Sequence, residues 1–502
     1  MEHFDVAIVG YGPAGATLAH LLAACGLKTL VLEREAAHYH LPRAVHFDAE
    51  VMRAFQWIGI ADEMAAKTHR HPGMQFVDRD GKILLDWPRP QGEGPQAWNA
   101  NYRFHQPDLE ELLRDRLADR PEVTVRTRCD VFNIDDQGDK VELRYEDMTK
   151  GKVHHVSASY VVGCDGARSL IRRYIESDME DYGFHERWLV VDVILNEDKP
   201  SLGDHSIQYC VPERPATYVR TPGMRRRWEI TVLPEETSHD ISKPERVWEL
   251  LSDWLKPEEA ELERTAVYTF HSLVAEDWRE GRLLLAGDAC HQTPPFMGQG
   301  MCAGTRDVVN LYWKLALICK GLVTGEAAER LLDTYESERK PNAAEYIKTA
   351  VRLGGLINTV GTEEALRAAL PSADGSARME SIAPPIGPGL GDGSDKAGRL
   401  FGQPRMSDGS RMDDVFPHAF VVVAEAGLVE GLDLPEGVGL VTTDTSNAAD
   451  HLARLGARAT VLRPDRHTLG GADTRAELEA LITRILPSPL QPSSETQQPE
   501  MA

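Results

Sequence analysis

This chain of 502 residues has few cysteines and spreads them thinly. Seven stand at positions 25, 129, 164, 210, 290, 302 and 319 without a C-x-x-C pair, which excludes a dithiol centre and offers no zinc set, so no metal is expected. Single cysteines of this kind suit a reducing cytosol, and a cytoplasmic location is expected. No apolar run is long enough to span a bilayer and no cleavable leader is read before the first apolar segment, so no membrane partner is expected. Positive charge is also short. Against 79 acidic residues there are 55 basic ones, a formal net charge of −24, which argues against nucleic acid or an anionic membrane. An anionic small molecule would then need a local basic pocket. Length is ample: two to four domains at about 100–200 residues each, with enough chain to bury a core without staples.

What is present is glycine in particular places. Val6–Val9 is a short apolar run, followed by Gly10-Tyr11-Gly12-Pro13-Ala14-Gly15 and then helical spacing of Leu18, Leu21 and Leu22. In such a turn Gly10 permits the tight bend, Gly12 lets a pyrophosphate approach the backbone, and Gly15 lets the helix pack on the strand. The helix N-terminus, entered through Pro13 and Ala14, offers free N–H groups and a positive dipole end to phosphate. Lys28–Leu32 supplies a second strand, and Glu33 ends it about 20 residues past the glycines, where an acceptor for an unphosphorylated ribose is expected. Two further strand-to-turn segments follow: Tyr160–Ser169, containing Asp165-Gly166, and Leu283–Gly300, containing Gly287-Asp288 and Pro294-Pro295. An ionised Asp closing an apolar strand is costly unless donors satisfy it, and a sugar-alcohol chain supplies donors.

These three ordered turns resemble those of the flavoprotein aromatic hydroxylases, the single-component FAD monooxygenases. The resemblance implies FAD held by Gly10, Gly12, Pro13, Ala14, Gly15 and Glu33, with Arg34 near the adenine. Asp165 and Gly166 would lie near the pyrophosphate, while Asp288, beside Gly287, would accept from the ribityl hydroxyls. Pro295, Gly298, Gln299 and Gly300 would bring backbone against the isoalloxazine ring, and the helix beginning near Gln299 would aim its positive end at the N1–C2 edge. Pro42–Phe47 occupies the place of an arginine-containing loop, so Arg43 should meet the FAD, and Gln106 should contact the ribityl chain.

The implied fold class is α/β: a discontinuous Rossmann-like FAD-binding domain with an inserted β-sheet substrate domain and a small thioredoxin-like C-terminal domain. The boundaries expected are 1–70, 105–180 and 276–351 for the FAD domain, 71–104 and 181–275 for the substrate domain, 352–395 for a linker rich in Gly, Ser and Pro, 396–487 for the C-terminal domain, and 488–502 for a disordered tail. Residues 396–487 contain no Cys, so their expected role is structural.

The chemistry implied is reduction of FAD by NADH or NADPH, addition of O2, and oxygen transfer through a C4a-hydroperoxyflavin to a phenol. Water must be kept out and phenolate favoured, since a deprotonated hydroxyl activates the ortho and para carbons. Within the group, the Pro42–Phe47 loop and the strands at 206–232 point to a meta-substituted phenol such as 3-(3-hydroxyphenyl)propionate, hydroxylated ortho to its hydroxyl. Polyketides and other phenols stay open, as does a non-catalytic escort protein on the same fold. His46 and His291 are the expected proton partners, with Pro295 beside the flavin. Gln208 and Cys210 share one strand face and Tyr218 and Arg220 another, making each pair a substrate-contact candidate. The small-molecule phenol is the partner required, and a homodimer stays open. No second G-x-G-x-x-G marks a separate nicotinamide domain.

Overall fold

A computed structural model describes residues 1–38, 40–359 and 382–486. The expected tail at 488–502 lies outside the described residues, as does most of the first half of the expected linker.

The first apolar run forms the strand Glu2–Val9, which pairs in parallel with Thr29–Leu32 on one side and Lys152–Gly163 on the other. Leu283–Leu285 and Val123–Arg126 extend the same sheet to either side in parallel. Val6–Val9, Thr29–Leu32 and Leu283–Leu285 are buried on both faces and read as nearly unbroken apolar runs instead of alternating ones. A meander of Cys129–Asp136, Val141–Asp147 and Lys152–Gly163, with the short edge strand Arg279–Glu280 antiparallel to Leu283–Leu285, completes the eight strands. Helix Pro13–Ala24 packs between this sheet and the 20-residue helix Gly300–Cys319.

The second eight-stranded sheet is largely antiparallel. Its order runs His291–Gln292, Ala260–Ala275, Met179–Leu195, Arg225–Thr231, Ala216–Arg220, Ser206–Tyr209, Gly73–Val77 and Ile83–Pro88. One face packs on helix Pro244–Leu251 through Tyr218, Trp228, Val247 and Leu251, while the other turns toward the first sheet. Residues 421–472 form a third sheet of four strands in the order 439–442, 421–424, 459–462, 468–472, flanked by helices Ala448–Leu455 and Arg475–Ile482. Among the described residues no helix is long and apolar enough to cross a membrane.

Two constraints hold the first turn. Gly10 has φ +105°, and a Cβ on it would stand 2.3 Å from the Cys164 carbonyl oxygen. A Cβ on Gly15 would stand 2.2 Å from the Gly10 carbonyl oxygen, so the helix rests directly on the turn. Strand, turn and helix are therefore locked to the end of Lys152–Gly163, which carries Asp165. Gly10→Ala is expected to cost about 2–5 kcal/mol through strain and overlap. Urea unfolding would show this as a lowered midpoint, and an unchanged midpoint would contradict the contact.

The third sheet docks through buried charge. Glu338, on helix Glu326–Thr359, receives Arg463 Nη1 and Nη2 at 2.6 and 2.9 Å and Lys314 Nζ at 2.8 Å, with all three side chains nearly inaccessible to water. Burial alone would raise its carboxyl, but the Arg463 and Lys314 charges reverse this and bring it from 4.5 to about 2. Its stabilising contribution is thus fully present above pH 4.5 and is lost as pH falls toward 2. Glu338→Gln should flatten that acid limb in equilibrium unfolding measured between pH 5 and 3.

Candidate active site

The three turns meet: Gly10 abuts Cys164 and Asp165, and Gly287 abuts Ala14. Gly12 has nothing within 4 Å of where a Cβ would project, so the turn is open on the side a pyrophosphate would approach. Glu33 holds the turn itself: its carboxylate accepts from Tyr11 N at 2.7 Å and Glu35 N at 2.8 Å, leaving lone pairs for a ribose hydroxyl. Arg34 is exposed and paired with Glu35.

Asp165 Oδ2 accepts from Leu170 N at 2.6 Å, while its buried Oδ1 has no protein partner. Burial raises its carboxyl. Asp288 closes the strand Leu283–Leu285 and projects into the cleft, where water reaches its side chain although protein surrounds it. That crowding raises its carboxyl, against the lowering effects of His291 and Arg43. No hydrogen bond to its side chain is found among the described residues. A lone acceptor at Asp288, an orphaned oxygen at Asp165 and an open glycine turn fit a nucleotide carrying a diphosphate and a polyol.

Arg43 lies on the exposed rim of the cleft, and the loop carrying it is clamped from the second sheet. Arg227 Nη1 and Nη2 donate to the carbonyls of Arg43 and Pro42 at 2.6 and 2.8 Å. Asp192 holds Arg227 in a two-point pair at 2.7 and 3.0 Å. Arg227 is therefore a loop anchor. Gln106 is likewise committed: its oxygen accepts from Ala44 N at 2.6 Å and its nitrogen donates to Glu110 at 2.7 Å. Gly298 takes the left-handed conformation, φ +63°, at the start of helix Gly300–Cys319, with His46 only 3.0 Å from where its Cβ would be. Gln299 caps that helix and accepts from Arg306 at 2.9 Å.

Beside Pro295 and Gly298 lies a cavity of about 60 Å³. That is room for roughly four to six waters. His46, His71, Trp87, Arg89, Arg103 and Glu229 supply its polar wall, with Gln208 and Thr217 from the sheet and Phe296 and Met297 as apolar cover. Burial pushes Arg103 down to about 9 and raises Glu229.

Several sequence-based candidates fall elsewhere. His291 does not line the cavity: it is buried, and Asp307 Oδ2 holds its Nε2 at 2.7 Å. His46 does line it, but its Nε2 lies 2.8 Å from Asn101 Oδ1 and its Nδ1 3.3 Å from the Gly298 carbonyl, and burial holds the ring neutral, so it has one proton for these two acceptors. Gln208 reaches the cavity with both amide ends engaged, by Ala216 and Thr217. Cys210 is on that face, packed with Trp188 and Phe296, but outside the lining. Tyr218 points to the opposite face against Trp228, and Arg220 pairs with Asp204 at 2.9 Å.

The residue that spacing did not suggest is His71. Its Nδ1 lies 3.2 Å from the Gly73 carbonyl, which places the ring proton there and leaves Nε2 as an acceptor, buried and without a protein partner. Burial, with Arg103 next, pushes this imidazole well below its ordinary value, so it stays neutral. Arg103 Nε and Trp87 Nε1 are also buried without partners.

Comparison with known proteins agrees with the geometry. A family described as an FAD binding domain matches residues 3–350. A probable NADH-specific resorcinol 4-hydroxylase of Rhodococcus jostii (strain RHA1) is 35% identical over 98% of this chain and 97% of its own length. This chain belongs to the FAD-dependent aromatic hydroxylases. FAD is its cofactor. A 3-(3-hydroxy-phenyl)propionate/3-hydroxycinnamic acid hydroxylase of Burkholderia cenocepacia (strain HI2424) is 37% identical over 70% of this chain, but that match spans only 64% of the relative. Two solved structures share the fold: the flavin-dependent monooxygenase PieE, with TM-score 0.82, 20% identity and 96% and 98% of the two chains covered, and aklavinone-11 hydroxylase, with TM-score 0.74, 23% identity and 97% and 99% covered.

Asp288→Ala should weaken FAD binding about ten- to a hundredfold, the range for losing hydrogen bonds to a charged acceptor. Flavin fluorescence titration measures it, and an unchanged affinity would remove Asp288 from the cofactor site.

Proposed function

We propose that this enzyme uses NADH to hydroxylate a small monocyclic phenol carrying a second polar group meta to its hydroxyl, with resorcinol-type compounds first. The observation that carries the reading is the buried polar cavity where, among the described residues, one acceptor, His71 Nε2, and two donors, Arg103 Nε and Trp87 Nε1, stand without a protein partner. A ring with a hydroxyl to donate and a second oxygen to accept satisfies all three. The full-length similarity to a resorcinol hydroxylase supports the same class.

FAD, when bound, supplies the activated oxygen atom after reduction by the nicotinamide. His71 orients the ring hydroxyl by accepting its hydrogen bond. At the second oxygen, the Arg89 and Arg103 charges favour the deprotonated form, which raises electron density at the ring carbons ortho and para to it. Phe296 and Met297 keep water from the reacting face. Gly12, Glu33, Asp165 and Asp288 would hold the cofactor, and the N-terminus of helix Gly300–Cys319 would offer positive potential to the reduced ring. The same two guanidiniums favour a second reading, 3-(3-hydroxyphenyl)propionate, whose carboxylate they would hold.

Mass spectrometry of products from both phenols, with NADH and NADPH compared, tests the proposal. Oxygen gain on a ring lacking any hydroxyl or amino group, or on no phenol at all, would overturn it. His71→Phe should lower the ratio of product to NADH consumed about tenfold, the worth of one buried hydrogen bond. Because the folded imidazole is neutral far below pH 6.5, coupling in the native enzyme should not fall between pH 7.5 and 5.5 through this residue. A loss following an imidazole titration that vanished in His71→Phe would contradict the assignment.

A further inference from the structure

Helix Glu326–Thr359 carries two adjacent charged residues that face opposite ways, and both are buried. Glu338 turns toward the C-terminal unit, where Arg463 grips both of its oxygens. Arg339 turns toward the flavin cleft, donating from Nε to Asp307 Oδ1 at 3.0 Å. Asp307 in turn accepts from Gly287 N at 3.0 Å, the backbone group immediately before Asp288.

A second helix repeats this pairing. Asp307 and Asn310 are one turn apart on Gly300–Cys319. Asn310 Nδ2 donates to Glu338 at 2.9 Å and to Asp465 Oδ2 at 3.2 Å, and its oxygen accepts from Lys314 at 2.8 Å. Asp465 also accepts from Arg463 Nε at 3.0 Å and Trp313 Nε1 at 3.4 Å. The four charges, Lys314 and Arg463 against Glu338 and Asp465, balance. The connecting segment adds a parallel tie: Arg339 Nη1 donates to Asn342 Oδ1 at 2.5 Å, and Asn342 Nδ2 donates to the Pro384 carbonyl at 2.7 Å.

Docking alone does not call for this arrangement. Replacing a buried ion cluster with apolar side chains is often neutral or stabilising, whereas removing one member of it is costly. Such a cluster therefore specifies geometry more than it adds stability, and what it specifies here is the position of the two helices that hold Gly287. We propose that the C-terminal unit is a working part of the flavin site: Arg463 and Asp465 are positioning residues that fix the Gly287–Asp288 turn through Glu338, Asn310, Arg339 and Asp307. The proposal rests on Asp288 contacting the FAD, and the test separates the two.

The full chain, stripped of flavin, is titrated with FAD, and its thermal midpoint is recorded. Arg463→Gln and Asn310→Ala should each raise the FAD dissociation constant about tenfold or more. Val423→Ala, in the core of the C-terminal sheet and outside the cluster, should lower the thermal midpoint while leaving that constant within twofold. In an Asp288→Ala background, Arg463→Gln should have less than a threefold effect, since coupled residues are not additive. An unchanged constant in Arg463→Gln, an equal rise in Val423→Ala, or the same factor in both backgrounds would overturn the proposal. Should Arg463→Gln not accumulate as folded protein, Asn310→Ala decides by the same limits. If Asp288→Ala itself leaves FAD binding unchanged, the cofactor assignment fails instead.

Discussion

One buried carboxylate organises the region where flavin and substrate would meet. Asp307 is inaccessible to water, and an unpaired charge there would be prohibitive. Burial alone would raise its carboxyl, yet His291 and Arg339 bring it below its ordinary range, so it is held as the anion. An anion so placed has few arrangements that satisfy it. Its neighbours are therefore not free: the Gly287 backbone, the His291 ring and the Arg339 guanidinium must each present a donor. The strand end, the following loop and two long helices are thereby brought to one point.

The same economy explains what was readable from the sequence. The three turns were legible because the backbone imposes their composition locally. Gly10 needs its φ and its clearance from Cys164, and the strands around it are buried on both faces and so read as apolar runs. The strand Cys129–Asp136 escaped notice because half of its residues are polar and its burial alternates irregularly past a bulge. Thr468–Ala472 escaped because two glycines dilute its signal.

The cavity was far less legible. Alternation correctly put Tyr218 and Arg220 on one side of their strand, but parity does not say which side faces inward. Thr217 and Val219 face the cavity, and their neighbours face the helix behind. His291 looked suitable as a proton partner because its captor, Asp307, sits 16 residues later inside a helix that reads as packing. His71 had no motif around it. It matters only because Gly73 fixes its tautomer while Arg103 and Trp87, from two other segments, converge on the same space. The arginine triplet at 225–227 offers a similar lesson: Arg227 serves the Pro42–Arg43 loop, a contact across 184 residues that no local pattern signals.

The short strand His291–Gln292 lies at the edge of the substrate-side sheet, paired with Leu273 and Val274, only six residues after Leu285 leaves the nucleotide-side sheet. The two halves are thus stitched by the very loop that carries Asp288. In modular terms, the seam between them does not coincide with the domain boundary expected at residue 276. A chimera that exchanged the substrate sheet with that of a relative at that point would leave one native strand paired to a foreign neighbour. The natural crossover lies after Gln292, and any sheet transplanted this way carries its own Gly287–Gln292 loop with it.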